Sequence, residues 1–126
     1  MKARKILVAT LMLLCCISSA IAEGGITPMY VNIRTTQATL SISGDTATCV
    51  GGVWAFSSTG ACSITVKLQK QDGGSWTTLK SWTDTGSGSA SASGTYAVSA
   101  GTYRVSASGN VDGESFSVNS ATKTKN

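Results

Sequence analysis

The pattern that most limits what this chain can fold into is a short-range alternation of apolar and polar residues, interrupted at close intervals by glycine, aspartate and serine. In the run SITVKLQKQ, Ile64, Val66 and Leu68 fall on one side of an extended backbone, and Thr65, Lys67 and Gln69 fall on the other. Beyond residue 22 no stretch keeps an apolar period of 3.6, so a helix would have no face to bury. The runs predict strands over residues 29–34, 38–43, 46–53, 61–71, 76–83, 95–99, 102–108 and 115–120. Gly44-Asp45, Ser58-Thr59-Gly60, Asp72-Gly73-Gly74-Ser75, Gly101 and Asp112-Gly113 separate them, all residue types that tolerate tight or left-handed backbone. The clearest hairpin joins SITVKLQKQ to SWTTLKSW across DGGS.

Seven or eight such strands in about a hundred residues point to an all-β domain of two antiparallel sheets packed as a sandwich. The alternation turns Leu40 with Ile42, Tyr103 with Val105 and Ala107, and Phe116 with Val118 toward its core. A domain this small buries a modest fraction of its surface, so a covalent brace would suit it.

Residues 1–22 follow a different rule. Lys2, Arg4 and Lys5 precede an apolar stretch over residues 6–17, and Ala20-Ile21-Ala22 supplies the small residues that a signal peptidase accommodates. Cleavage after Ala22 leaves Glu23 first. The apolar stretch is too short for a bilayer span, which takes roughly 20 residues. Lipidation at Cys15 or Cys16 is the anchored alternative, but Leu14 and Cys15 stand where that processing usually wants Gly, Ala or Ser. Secretion without a stable membrane anchor is therefore expected. With neither an apolar C-terminal tail nor a sorting motif, release is expected rather than wall attachment. The organisation reads as a signal peptide over 1–22, an N-terminal segment with the first strand over 23–36, and the sandwich over 37–126, ending in a short polar tail that holds Lys123 and Lys125.

Removing the signal changes the charge balance. The chain has ten basic and six acidic residues, and three of the basic ones lie in the signal, so seven stand against six in the exported form. A nucleic-acid or anionic-membrane partner thereby loses its main support. Two of the four cysteines go as well, leaving Cys49 and Cys62 as an even pair in an exported domain, for which a disulfide is expected. It would close a loop of about 14 residues and contribute around 3 kcal/mol. The chain contains no histidine, and two thiolates do not make a structural zinc site, so neither metal nor cofactor is expected.

GTYAVSA at 94–100 is followed at once by GTYRVSA at 101–107, which reads as two neighbouring strands with a tight connection. AGTYRVSA resembles the start of the sixth strand of immunoglobulin-like and fibronectin-like domains, where a tyrosine corner precedes a core position by two residues. The resemblance makes Tyr103 the corner tyrosine and Val105 the core position. Immunoglobulin domains carry a cysteine at the latter, so a bridge here would lie elsewhere, between Cys49 and the next strand at Cys62. TATC, ITVKLQKQDGGSWTTLKSW, GTYRVSASG and ESFSVNSATK together resemble a group of small secreted proteins of Gram-positive anaerobes classed as a domain of unknown function. That resemblance spans residues 38–123 and implies a scaffold and secretion, without a catalytic residue.

Three features bear on chemistry. Asp84-Thr85-Gly86 matches the aspartic-protease triplet, which works as a pair of aspartates sharing a proton, so the chain would have to dimerise. Its continuation GSGSASASG offers little to bury, and a solvated loop is the expected reading. Even spacing places Trp76, Thr78, Lys80 and Trp82 on one strand face, opposite Leu79, and an exposed tryptophan stripe of that kind would stack on sugars or on a protein partner. The alternative is that the tryptophans cover the sandwich edge, with a bulge breaking the alternation; Trp54 and Phe56 are also expected to pack. Asp45, Asp72 and Asp112 each adjoin a glycine and read as turn formers rather than calcium ligands. Without histidine no serine has a base to activate it.

The chain is thus expected to be a non-enzymatic, secreted binding or adhesion-type module for a glycan or protein. The alternative is a structural, assembly or antagonistic protein that acts through an edge strand or its surface. A dimeric peptidase using Asp84 is the remote one. Intact-mass measurement of the exported protein should give a chain beginning at Glu23; a lipidated start at residue 15 or 16 would refute this reading.

Overall fold

The alternating runs become eight strands, and no helix occurs among the described residues, which in this computed structural model are 30–126. The expected signal peptide, the expected cleavage site at Ala20, Ala22 and Glu23, and Cys15 and Cys16 lie outside them. The strands are β1 (Ile33–Ser43), β2 (Thr46–Ala55), β3 (Ala61–Asp72), β4 (Ser75–Ser87), β5 (Ser89–Ala97), β6 (Gly101–Val111), β7 (Glu114–Asn119) and β8 (Lys123–Lys125). One sheet has the order β1-β2-β5. The other runs β4-β3-β6-β7, with β8 also paired to β6, and every pairing is antiparallel. The turns sit where glycine and aspartate stand: Asp112 and Gly113 take φ of 49° and 88°, the left-handed pair that a tight hairpin requires.

The core lies between the sheets. Ile64, Val66 and Leu68 of β3 and Tyr103, Val105 and Ala107 of β6 face Ala47, Cys49 and Val53 of β2, with Leu40 and Phe116 also buried. Gly51 sets the spacing. A side chain there would run into Val66 Cγ2 and Ala107 Cβ, so the sheets meet at this point only because residue 51 has none. Tyr103 is buried, and its hydroxyl donates to the Ser99 carbonyl at 2.7 Å, which ties the β5–β6 connection to the core.

Polar side chains complete what the strand ladders leave open. The Glu114 carboxylate accepts N–H bonds from Val31, Asn32 and Ile33 at 2.8, 2.7 and 3.0 Å, and so pins the start of β1 to β7. Those N–H bonds hold its carboxyl below the usual glutamate range, that from Val31 first. Ser120 stands between β7 and β8 and is buried. Its Oγ accepts the Val105 N–H at 2.8 Å and donates to the Ala121 carbonyl, while its own N–H reaches the Val105 carbonyl. An unpaired Val105 N–H at this buried place would cost about 1–3 kcal/mol.

Several expectations are corrected. The strands expected at 29–34 and 38–43 are one strand, β1, whose polar Arg34 sits at a register shift between Ile33 and Thr35, so a domain boundary at residue 36 would cut through it. GSGSASASG is not a loop. Its Ala-Ser alternation forms β5, with Ala90 and Ala92 buried and Ser89, Ser91 and Ser93 exposed, because alanine suffices as the apolar half of a strand where the sheets pack closely. The repeated GTY segments belong to consecutive strands that lie in different sheets. The polar tail is β8, and Lys125 pairs with Asp45 at 2.9 Å.

The disulfide is replaced by two buried free thiols. Gly51 faces Val66, and Cys49 lies two residues farther from the β2–β3 turn on the same face, whereas Cys62 is four residues nearer to that turn than Val66. Four strand residues span about 13 Å. A disulfide needs Cα atoms within about 4.4–6.8 Å of each other, so the two cannot be bridged. The Cys62 thiol donates to the Gly60 carbonyl. Burial pushes the Cys49 thiol up to about 11; burial, aided by the Asp112 carboxylate, also raises that of Cys62.

Thiol titration of a chain beginning at Glu23 should accordingly find two thiols when it is unfolded and slow reaction of both in the native state at pH 8; no thiols in denaturant would contradict this. Glu114 gives a second expectation. Its lowered carboxyl stabilises the fold at pH above the ordinary value of about 4.3 and ceases to as pH falls through the folded value. The wild-type advantage in Tm over Glu114→Gln should therefore be largest near neutral pH and shrink below about pH 4. A gap independent of pH would contradict the carboxylate's role.

Candidate functional site

Of the four residues expected on one face of β4, the structure separates two from two. Register with β3 slips between Leu68 and Gln69: Thr78 lies opposite Gln69 and Lys80 opposite Leu68, leaving Leu79 as the extra residue of a bulge. Trp76 and Thr78 consequently share the outer face with Gln71 and Gln69, while Lys80 and Trp82 take the side of Leu68 and Val66. Trp82 packs over Gly94 of β5, at the place a side chain there would occupy, and with Leu79 and Tyr96 covers the β4–β5 side of the core. Lys80 is exposed. No tryptophan stripe forms.

Asp84 is likewise on a strand rather than in a loop. It lies opposite Ile64 in β4, and its Oδ2 accepts the Ser91 N–H at 3.1 Å, so this carboxylate helps to join β4 to β5. Asp112, in the β6–β7 turn, accepts the Ala61 N–H at 3.0 Å and so ties that turn to the start of β3. No group of three or more potential metal ligands occurs among the described residues.

Two aromatics expected to pack also reach the surface: Trp54 is half-buried and Phe56 exposed. Val53 and Ala55 point inward from β2, so Trp54 lies on the outer face of the three-stranded sheet, opposite Thr35 on β1 and Ser89 on β5. Its six-membered ring lies over Gly52, where a Cβ would stand 2.5–3.2 Å from three ring atoms, so only glycine lets the indole settle onto the sheet. Along this side of β1 runs a groove of about 520 Å³. Arg34, Thr35, Gln37 and Thr39 line it with Trp54 on the outer side, and Thr36, Ala38 and Val118 line it where β1 approaches β7. The volume lies within the range of about 300–1,000 Å³ found for small-ligand sites. Phe56, 63% exposed, and Val31, 76% exposed, stand at the same end of the sandwich, where the Phe56 N–H donates to the Asn32 carbonyl.

The arrangement is a planar aromatic surface flanked by an amide, a guanidinium and hydroxyls, with no carboxylate among the lining residues. It can stack on a flat apolar ligand surface and hydrogen-bond around its rim through Gln37, Arg34 and the threonine hydroxyls. The sequence did hold a signal for it. Two consecutive glycines before Trp54 mark a point where one must admit the opposite sheet and the other must admit the ring. Comparisons of the chain with protein-family models, curated proteins and solved structures return no match.

Proposed function

We propose that this protein is a secreted, non-enzymatic binding module with an immunoglobulin- or fibronectin-like sandwich, and that it holds a glycan in the groove beside Trp54. The fold reading is supported by the division of the first, second and fifth strands into one sheet and the third, sixth and seventh into the other, with the fourth beside the third. The Tyr103 hydroxyl bond to Ser99 at the entry to the sixth strand supports it as a tyrosine corner. Secretion is supported by the residues of the N-terminal segment. No helix among the described residues is long and apolar enough to cross a membrane.

The observation that carries the ligand class is the indole resting on Gly52 beside Gln37, Thr35, Thr39 and Arg34. A pyranose presents an apolar face of C–H groups ringed by hydroxyls, and this surface matches both parts. The non-enzymatic reading is supported by the absence of histidine and by the burial of both thiols.

A second reading has its own observation. Among the described residues β1 pairs only with β2, and its other edge lies along the groove, with Ala38 and Val118 beside it, so an extended segment could add there as a strand. The two differ in solution behaviour. A glycan panel read by tryptophan fluorescence should identify a neutral oligosaccharide that quenches the exported protein and leaves it monomeric. Trp54→Ala should weaken that binding by about thirtyfold, the cost of a central aromatic contact. A protein that responds to no glycan and grows in size with concentration would favour the edge-strand reading.

A further inference from the structure

The opposite face of the sandwich carries a second arrangement, independent of the groove. On the outer side of the five-stranded sheet the Arg104 guanidinium lies over the Trp76 ring, 4.3 Å from its centroid. Its Nε donates to Gln69 Oε1 at 2.8 Å, and the Gln69 amide in turn donates to Thr78 Oγ1 at 3.2 Å. Three side chains from the next two strands of the sheet, Gln69 of β3 and Trp76 and Thr78 of β4, thus hold the Arg104 guanidinium in place, and its two Nη groups have no acceptor among the described residues. Stacking on an indole leaves the guanidinium edge free, and that edge is the planar fork which meets a carboxylate or sulfate with two parallel bonds.

The surroundings sharpen the ligand. Lys67, opposite Ser106 and Ser81, is a diagonal neighbour of Arg104, a spacing of about 7–8 Å in a sheet. The register places Ser, Thr, Asn and Gln over the rest of this face, including Ser106, Ser108, Asn110 and Thr65, and places no carboxylate on it. Two cations in a field of hydroxyls and amides suit a polymer that carries spaced oxyanions on a hydroxylated backbone. They do not suit a nucleic acid: one cation pair offers little against a continuous phosphate chain, and the only indole on the face is already covered by the guanidinium.

We infer that Arg104, held by Trp76 and Gln69 and assisted by Lys67, is a binding site for the carboxylate or sulfate groups of an acidic polysaccharide. It is separate from the Trp54 groove, in the other sheet.

The test uses the exported protein with polygalacturonate, its fully methyl-esterified form, dextran sulfate, dextran and single-stranded DNA, measured by calorimetry at fixed salt. Binding of polygalacturonate or dextran sulfate is expected, with their uncharged counterparts at least tenfold weaker; the first distinguishes carboxylate from sulfate as the group recognised. Arg104→Lys keeps the charge and loses the fork, and should weaken binding about tenfold or more with Tm unchanged. Trp54→Ala should leave it intact, which separates this site from the glycan reading of the groove. The inference is overturned if Arg104→Lys binds as the wild type does, if the charged and uncharged polymers bind alike or not at all, if DNA binds as tightly as the acidic polysaccharide, or if Trp54→Ala abolishes the binding.

Discussion

Everything else in this fold depends on how closely a sheet of mostly small inward side chains can approach one that carries Ile64, Leu68 and Tyr103. Gly51 is the point of contact: with no side chain, it lets Val66 and Ala107 come against the β2 backbone. Around it the core is built from Ala47, Cys49, Val53, Ala90 and Ala92, residues that offer little apolar area one by one and need close packing to be useful. The same approach keeps Cys49 and Cys62 apart, because it fixes which residues of β2 face which residues of β3. The stabilisation of about 3 kcal/mol that a bridge would have contributed must therefore come from packing and from polar closure.

That closure is unequal on the two sides of the sandwich. On the β4–β5 side, Trp82 lies over Gly94 and Asp84 takes the Ser91 N–H, so the gap between the sheets is covered. On the β1–β7 side, Glu114 satisfies the backbone at the start of β1 and Lys125 meets Asp45 at the other end, but between them the edge of β1 has no strand partner among the described residues. The groove beside Trp54 lies along that interval. The bulge at Leu79 has a parallel effect on the other sheet: by turning Trp82 inward and leaving Trp76 outside, it divides two tryptophans between a structural contact and a surface one.

Much of the strand pattern was legible. The hairpin across Asp72 and Ser75, the inward set Ile64, Val66 and Leu68, and the turns at Gly44 and Asp112-Gly113 all follow from local alternation and backbone preference. The first part of β5, before the strand expected at 95–99, was missed because alanine and serine alternate there with little contrast in hydropathy, and only a close opposing sheet makes alanine the buried half. Trp54 and Phe56 were assigned to packing for a similar reason: large aromatics usually contribute most to burial, and here Gly52 gives the indole a resting place on the outside instead.

By itself the sequence determined an all-β chain and the direction in which most side chains point, since both rest on neighbours within a few residues. Tertiary structure alone decided that the thiols stay apart, that Trp76 and Trp82 part company, and that Trp54 and Arg104 stand on opposite outer faces. The reason is register. A side chain's face is fixed by its own strand only until a bulge shifts the phase, and which residues meet across a sandwich depends on two sheets that know nothing of each other in sequence.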